Sequence, residues 1–315
     1  MPIPELKLIE RIRRMAGILA PAPGKPVVVR GIGDDCAVLR LGAGSDTLVT
    51  TDLSIEGVHF RRDWYPAGFI GRQCLTRGLS DVAAMGGEPV AFFLSLALPP
   101  KTSQTWVDAF FRGMLAHALE FNVALSGGDI STSTSGVVAD IMVIGRVPAG
   151  KAVLRSGAKP GDGLYVTGML GVAAARVAAL RAGKKVEVAS AQPTPRVRVG
   201  RRLIGVASAM IDTSDGLSTD LKHLCDESGV GAIVYAPALP APAGLDFALH
   251  GGEDYELLFT APARKKVPSK IAGVPISRIG EITRGFARKD KPIWLADPRG
   301  RMHRLKPQGW QHFSG

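Results

Sequence analysis

Apolar runs of strand length alternate with stretches of helical period along most of the chain, which restricts it to a mixed α/β or α+β fold. DTLVTTD (46–52) and PVAFFLSLALP (89–99) read as strands, with a helix between them over 68–86. A second helix over 104–120 precedes the strand-like segments NVALSGGD (122–129) and GVVADIMVIGRV (136–147). The Gly- and Pro-rich segment PAGKAVLRSGAKPGD (148–162) then breaks the pattern and is the best boundary. Beyond it, LYVTG (164–168) leads into an alanine-rich helix, and a strand enters IDTSDG (211–216). A helix through 217–227 follows, then YELLFT (255–260) as a further buried strand. Two halves are therefore expected, residues 1–149 and 150–315, and the 315-residue chain is long enough to bury a core in each. The basic, Pro-containing segment from about 285 gives no clear pattern.

Several classes are disfavoured by composition. The chain is 46% hydrophobic and 21% charged, as a globular protein is, and lacks the apolar run of ~20 residues that crosses a bilayer. Leu6, Ile9, Ile12 and Leu19 recur at roughly helical spacing in the first 19 residues, with Glu5 and Glu10 among the basic groups. A short amphipathic surface helix is expected there rather than a secretory signal. Cys36, Cys74 and Cys225 are odd in number and far apart, which suggests neither a disulfide framework nor a zinc site and fits a reducing cytoplasm. The net charge of +11 raises the question of nucleic acid. Yet the cations are dispersed, clustering only in RVRVGRR (196–202) and RGFARKDK (284–291), and no aromatic-interleaved RNA motif accompanies them. The expected partners are thus neither nucleic acid nor membrane, while a substrate bearing several phosphates would be drawn to such a surface.

Familiar nucleotide signatures are absent: there is no GxxxxGK[ST] loop and no GxGxxG after a strand. No GxSxG, HExxH or EF-hand loop occurs either. What recurs is aspartate beside Gly, Ser or Thr at element ends: Gly33-Asp34-Asp35, Thr50-Thr51-Asp52, Ser80-Asp81, Gly127-Gly128-Asp129 and Asp212-Thr213-Ser214-Asp215-Gly216. Each alone is equally an ordinary turn or helix cap. Glycine permits close backbone approach to a ligand, and hard magnesium ions take carboxylate, phosphate and water oxygens. Two carboxylates about 4 Å apart repel by roughly 4 kcal/mol at an effective dielectric of 20, so converging turns would require cations. The residues alone carry the reading as far as a magnesium–phosphate site.

Together, GIGDDCAVL (31–39), TTDLSIEGVHF (50–60), GLSDVAAMGGEP (78–89), SGGDIS (126–131), LRSGAKPGD (154–162), IDTSDGLSTDL (211–221) and HGGEDYELLFT (250–260) resemble the thiamine-monophosphate kinase family, in that family's order and spacing. That family lies in the aminoimidazole ribonucleotide synthetase-like superfamily. The resemblance implies an N-terminal α/β domain that dimerises through its sheet as a barrel-like interface, with a C-terminal α+β domain beside it. It also implies ATP-dependent conversion of thiamine monophosphate to thiamine diphosphate by direct in-line transfer assisted by several Mg²⁺ ions. By motif position, Asp35, Asp52, Asp81, Asp129, Asp212 and Asp215 would bind magnesium, and Thr50 and Thr51 would add hydroxyl or carbonyl oxygens. Gly128, Asp129, Arg155 and Ser214 would lie along the ATP phosphates, and His59, Glu253 and Trp310 would face thiamine monophosphate. One departure is local: Ile130-Ser131-Thr132 follow Gly-Gly-Asp, where relatives often place Thr directly after Asp.

Other functions predict other features. A selenophosphate synthetase would carry a reactive Cys or Sec and a Lys in a glycine-rich N-terminal segment. A hydrogenase-maturation relative would carry a C-terminal cysteine where this sequence reads His312-Phe313-Ser314-Gly315. Purine-pathway synthetases lack HGGEDYELLFT as it stands here. A basic nucleic-acid binder would be indifferent to thiamine phosphate and sensitive to salt. A degenerate paralogue would keep the fold and lose the aspartates.

Overall fold

A computed structural model describes residues 7, 9–12, 28–187, 192–284 and 292–310. Of the expected N-terminal helix, the described residues Lys7 and Ile9–Ile12 are helical and exposed.

The first layer pair begins with β1 (Val28–Arg30), β2 (Ala37–Leu39) and β3 (Ser45–Ile55), followed by α1 (Ala67–Ala84), β4 (Glu88–Leu98) and α2 (Gln104–Phe121). β5 (Ala124–Thr132) and β6 (Val138–Pro148) complete a six-stranded sheet in the order β1-β2-β3-β6-β4-β5. β6 is antiparallel to both β3 and β4, whereas β5 runs parallel to β4 at the edge. α1 is buried nearly all round because it lies between the sheet and α2. Its contact with α2 is close enough to require glycine: a Cβ on Gly71 would sit 2.1 Å from the Phe110 carbonyl oxygen, and one on Gly113 2.0 Å from that of Gly68. α2 starts where the Ser103 hydroxyl accepts the Trp106 N–H at 3.2 Å and stops at Asn122, whose φ of 53° is left-handed.

Among the described residues, helices cover only one face of this sheet. On β3, Leu48, Thr50 and Ser54 face inward and are buried, whereas Thr51 and Leu53 on the opposite face are exposed. β5 is exposed along its whole length.

The second layer pair comprises β7 (Gly163–Thr167), α3 (Val172–Arg181), α4 (Val197–Leu203), β8 (Ala209–Asp212), α5 (Leu217–Ser228) and β9 (Gly231–Tyr235). A 3-10 turn over Ala236–Ala238 and α6 (Leu245–His250) lead to β10 (Leu257–Ala261), β11 (Lys270–Ile271), β12 (Val274–Thr283), β13 (Ile293–Ala296) and β14 (Met302–Leu305). The sheet runs β14-β13-β9-β12-β7-β10-β8, with β11 paired to β12. Among its described pairings only β9 with β13 is parallel.

An apolar cluster joins the two layer pairs: Ala83 and Ala84 of α1 meet Val153, Val199 and Leu203, with Met210 and Phe259 of the second sheet. Full burial of side chains such as Met210 and Phe259 is worth about 1.5–3 kcal/mol each. This junction brings the C-terminal end of β8 against α1, and there the acidic motifs meet.

The mixed α/β architecture follows the alternation in the sequence. Most long elements stand within a few residues of their expected spans; the ten-residue strand β12, the short strands β1, β2, β9, β11, β13 and β14, and the helices α4 and α6 had no counterpart among the expectations. β13 and β14 occupy the segment from about 285, of which 285–291 lie outside the described residues.

Candidate active site

Three aspartates from three separated motifs converge. Asp35 follows β1, Asp81 lies on α1, and Asp212 ends β8; one carboxylate oxygen from each lies within 4.8 Å of the others. Asp52, on the inward face of β3, also reaches Asp81 by a side-chain hydrogen bond. Hydroxyl groups fix two of these carboxylates. Thr50 Oγ1 donates to Asp81 Oδ2, and Ser80 Oγ donates to Asp212 Oδ2 at 2.6 Å across the junction of the two sheets.

Arg155 closes the arrangement from the stretch linking β6 to β7. Its Nη2 and Nε donate to the two oxygens of Asp35 at 2.8 and 3.2 Å, and its backbone N–H donates to Asp34 at 3.0 Å. Asp34 in turn accepts from Arg30 Nε at 3.1 Å, and Arg30 reaches Glu227 of α5 at 2.9 Å. One cation therefore sits on Asp35, while the carboxylates of Asp52, Asp81 and Asp212 crowd beside it.

The electrostatic consequence is a strong preference for the neutral acids. Burial, reinforced by Asp35, pushes Asp212 up to about 8. Burial also drives Asp81 well above the usual carboxylate range, with Asp52 and Asp212 adding to the effect. Asp52 rises through burial, although Arg77 and the bond to Asp81 pull it down. Asp34 is raised to about 6, chiefly by burial. Such a set repels itself when ionised and gains most from a divalent cation. Every donor is oxygen, the ligand type magnesium prefers, so these residues fit that ion.

The remaining expected site residues take varied positions. Asp215 lies in the loop between β8 and α5; its carbonyl accepts the Trp310 N–H at 3.0 Å, and its own N–H donates to buried Asp220 at 3.3 Å. Ser214 is half-buried, and its carbonyl accepts the Glu253 N–H at 2.8 Å. Trp310 follows Gly309, whose missing Cβ would lie 2.1 Å from the Asp215 carbonyl oxygen, so the tail packs directly on this loop. Thr51 points to the helix-free face, away from Thr50 and Asp52, leaving only its backbone on the acidic side. Gly128 and Asp129 lie on β5, three strand spacings (about 14 Å) from β3. Asp129 pairs with Ser95, Ser95 with Asp140 and Asp140 with Leu53, which puts Asp129 on the helix-free face. It is therefore not brought to the acidic cluster within the chain.

Beside the cluster is a second region. His59 Nδ1 accepts the Ile55 N–H at 3.0 Å, and Glu253 pairs with Arg77 of α1. Both border a narrow cavity of about 10 Å³ lined also by Ser54, Tyr65, Phe69 and Gln73. Glu253 and Tyr255 hold left-handed φ values of 65° and 51°. Such conformations are costly for non-glycine residues and cluster where a loop is held for function.

Sequence reasoning assigned no role to Ser80, Asp34, Arg77 or Asp220. Ser80 and Asp34 adjoin aspartates that were singled out, and Arg77 stands four residues before Asp81 on one helix face, a spacing that was readable. Asp220 is recognisable only once the chain turns at Gly216, whose N–H donates to it at 3.0 Å.

Comparison with known proteins gives the family. Residues 33–147 match the AIR synthase related protein N-terminal domain, and residues 159–289 match its C-terminal domain. The thiamine-monophosphate kinase of Salmonella typhimurium is 37% identical over 308 residues, covering 89% of this chain and 93% of that protein. That of Bacillus subtilis is 33% identical, covering 90% and 93%. Among solved structures, AaThiL complexed with AMPPCP and TMP superposes with a TM-score of 0.85 at 29% identity, covering 99% of both chains. The thiamine-monophosphate kinase of Stenotrophomonas maltophilia K279a gives 0.73 at 34%, covering 95% of this chain and 98% of that one. The hydrogenase maturation protein HypE in complex with ATP, at 18% identity and a TM-score of 0.73, shares the fold. By sequence and by structure, the chain belongs to the AIR synthase related proteins and, among them, to the thiamine-monophosphate kinase family.

Proposed function

We propose that this chain transfers the γ-phosphoryl group of ATP directly, in line, to thiamine monophosphate, giving ADP and thiamine diphosphate. The observation that carries the reading is the convergence of Asp35, Asp81 and Asp212 from both layer pairs, with carboxylate oxygens within 4.8 Å of one another. The relative complexed with AMPPCP and TMP supports the choice of substrates. Magnesium bound there would neutralise the meeting of two polyanions, and Asp35, Asp52, Asp81 and Asp212 are the residues that would hold it. Thr50 and Ser80 keep two of these carboxylates aimed. The attacking atom is a phosphate oxygen already anionic at neutral pH, so the protein needs no general base; its task is alignment. Arg155 holds Asp35, and its guanidinium is the group that would engage an ATP phosphate. Ser214, Asp215 and Trp310 form one hydrogen-bonded loop and tail beside Glu253, in keeping with phosphate contacts at the loop and thiamine contacts at Glu253, His59 and Trp310.

We further propose a homodimer built on the helix-free face of the six-stranded sheet. The exposed Leu53 and the edge of β5, unpaired among the described residues, support it, and a partner there would give Asp129 a setting that one chain does not provide. The proposed boundary between 149 and 150 falls in the stretch linking β6 to β7. A cytoplasmic location is supported by three buried free cysteines. No helix among the described residues is long and apolar enough to cross a membrane.

ADP release from ATP and Mg²⁺, measured with and without thiamine monophosphate, tests the reading. Strong stimulation by thiamine monophosphate is expected. Stimulation by a purine-pathway amidine instead would overturn it.

A further inference from the structure

The stretch that follows β14 is laid along the first turn of α5. Three successive backbone N–H groups are taken there: Gln308 donates to Ser218 Oγ at 3.3 Å, Gly309 to Thr219 Oγ1 at 3.1 Å and Trp310 to the Asp215 carbonyl at 3.0 Å. Both hydroxyl residues are buried, Ser218 at 0% exposure and Thr219 at 4%. A segment outside sheet and helix has no backbone ladder for its N–H groups, so other acceptors must be supplied. Here two adjacent hydroxyls of α5 supply them. Gly309 makes the contact possible: a Cβ there would sit 2.1 Å from the Asp215 carbonyl oxygen and 2.6 Å from Thr219 Oγ1.

The loop before α5 also receives a second segment. The Tyr255 N–H donates to the Thr213 carbonyl at 2.9 Å, and the Glu253 N–H donates to the Ser214 carbonyl at 2.8 Å. Ser218 extends the link. While its oxygen accepts from Gln308, its own hydrogen can go to His250 Nδ1, 2.9 Å away at the end of α6. Trp310 and Glu253 therefore hang on one loop, in a relation fixed by the groups that tie the tail to it. Trp310 remains 45% exposed, so burial of its ring does little to fix it and the backbone anchors do more.

We propose that Ser218 and Thr219 are positioning residues: their hydroxyls hold Gln308–Trp310 on α5 and so present the Trp310 indole to the acceptor in fixed relation to Glu253. The assignment rests on the reading of Trp310 as a thiamine-monophosphate contact and deepens it. Neither hydroxyl need touch substrate. A tail already ordered spares the acceptor the entropy of ordering it on binding. The indole would meet a part of the acceptor remote from the transferred phosphoryl group. Its placement then acts on ground state and transition state alike, and appears in KM with kcat retained.

The test compares Thr219→Val, which keeps the shape and removes the acceptor, with Thr219→Ser, which keeps the hydroxyl. In the full-length protein with ATP and Mg²⁺, Thr219→Val should raise KM for thiamine monophosphate about five-fold, as loss of one hydrogen bond does, and leave kcat and KM for ATP within about two-fold. Thr219→Ser should restore the wild-type KM. Hydrogen exchange read by mass spectrometry, without substrates, should show the Gln308–Trp310 amides exchanging faster in Thr219→Val than in wild type or Thr219→Ser. An equal rise in KM for both substrates, a fall in kcat alone, a serine variant as impaired as the valine one, or tail exchange unchanged by valine overturns the assignment. Gly309→Ala crowds the same contact and decides the matter where Thr219→Val does not fold; a wild-type KM for thiamine monophosphate in that variant also overturns it. Wild-type protein that thiamine monophosphate does not stimulate overturns the thiamine reading and the role with it, whereas unchanged tail exchange overturns the anchoring alone, which separates the two failures.

Discussion

At the scale of residues, the site holds charge that only a ligand relieves. Asp212 is raised to about 8 mainly by burial, so in the absence of a cation it holds its proton at neutral pH and its ionised form opposes folding. Asp212→Asn keeps an acceptor for Ser80 and removes that opposition. The variant without magnesium should melt a few degrees above wild type, lose the increase that Mg²⁺ gives wild type, and lose thiamine-monophosphate-dependent ADP release. Calorimetry with and without Mg²⁺ checks all but the last. A variant that melts lower and still responds to Mg²⁺ would remove Asp212 from the metal set. What was legible here is the type of residue and its company of Gly, Ser and Thr. What was not legible is which aspartates meet, because Asp35, Asp81 and Asp212 are brought together by tertiary packing alone. Asp129 carries the same signature and lies three strands away.

At the scale of elements, the α1–α2 pair shows how much a helix contact can hide. His117 of α2 is fully buried; its Nε2 meets Thr76 of α1 at 3.1 Å, and its Nδ1 meets Glu120 at 3.1 Å, with Arg72 of α1 on the same carboxylate. Burial, aided by Arg72, lowers His117 to about 4 from an ordinary 6.5. The folded chain therefore needs the neutral ring. Its contribution is intact above about pH 6.5 and is lost as the pH falls toward 4, by at most about 3 kcal/mol. His117→Gln should flatten that acid limb of a stability–pH curve measured by urea unfolding; identical limbs would rule the role out. The helix was evident from its apolar period, but the histidine was not, since nothing in a single sequence marks which polar side chain faces inward. The same limit explains the short strands. β1 and β2 have three residues each and β11 two, too few to show a period, and pairing rather than propensity makes them strands.

At the scale of the whole molecule, one face of the six-stranded sheet carries no helix among the described residues. A homodimer through it predicts a single species of twice the 33.2 kDa chain mass in sedimentation at micromolar concentration. Leu53→Lys, placed on that face, should shift the species to monomer while the chain stays folded; a wild-type monomer would refute the interface. The two-layer organisation was legible because α/β alternation persists across the Gly- and Pro-rich stretch. The docking of the two layer pairs was not, since Val153, Met210 and Phe259 look like ordinary core residues of their own segments. That docking has a consequence for ancestry. The 2.6 Å bond from Ser80 to Asp212 and the fork of Arg155 on Asp35 tie the proposed catalytic centre to both halves of the polypeptide. Neither half can be inherited, exchanged or recombined as an independent module: a chimera of two relatives would fold each half and still have to renegotiate, residue by residue, the contacts that make the pair an enzyme.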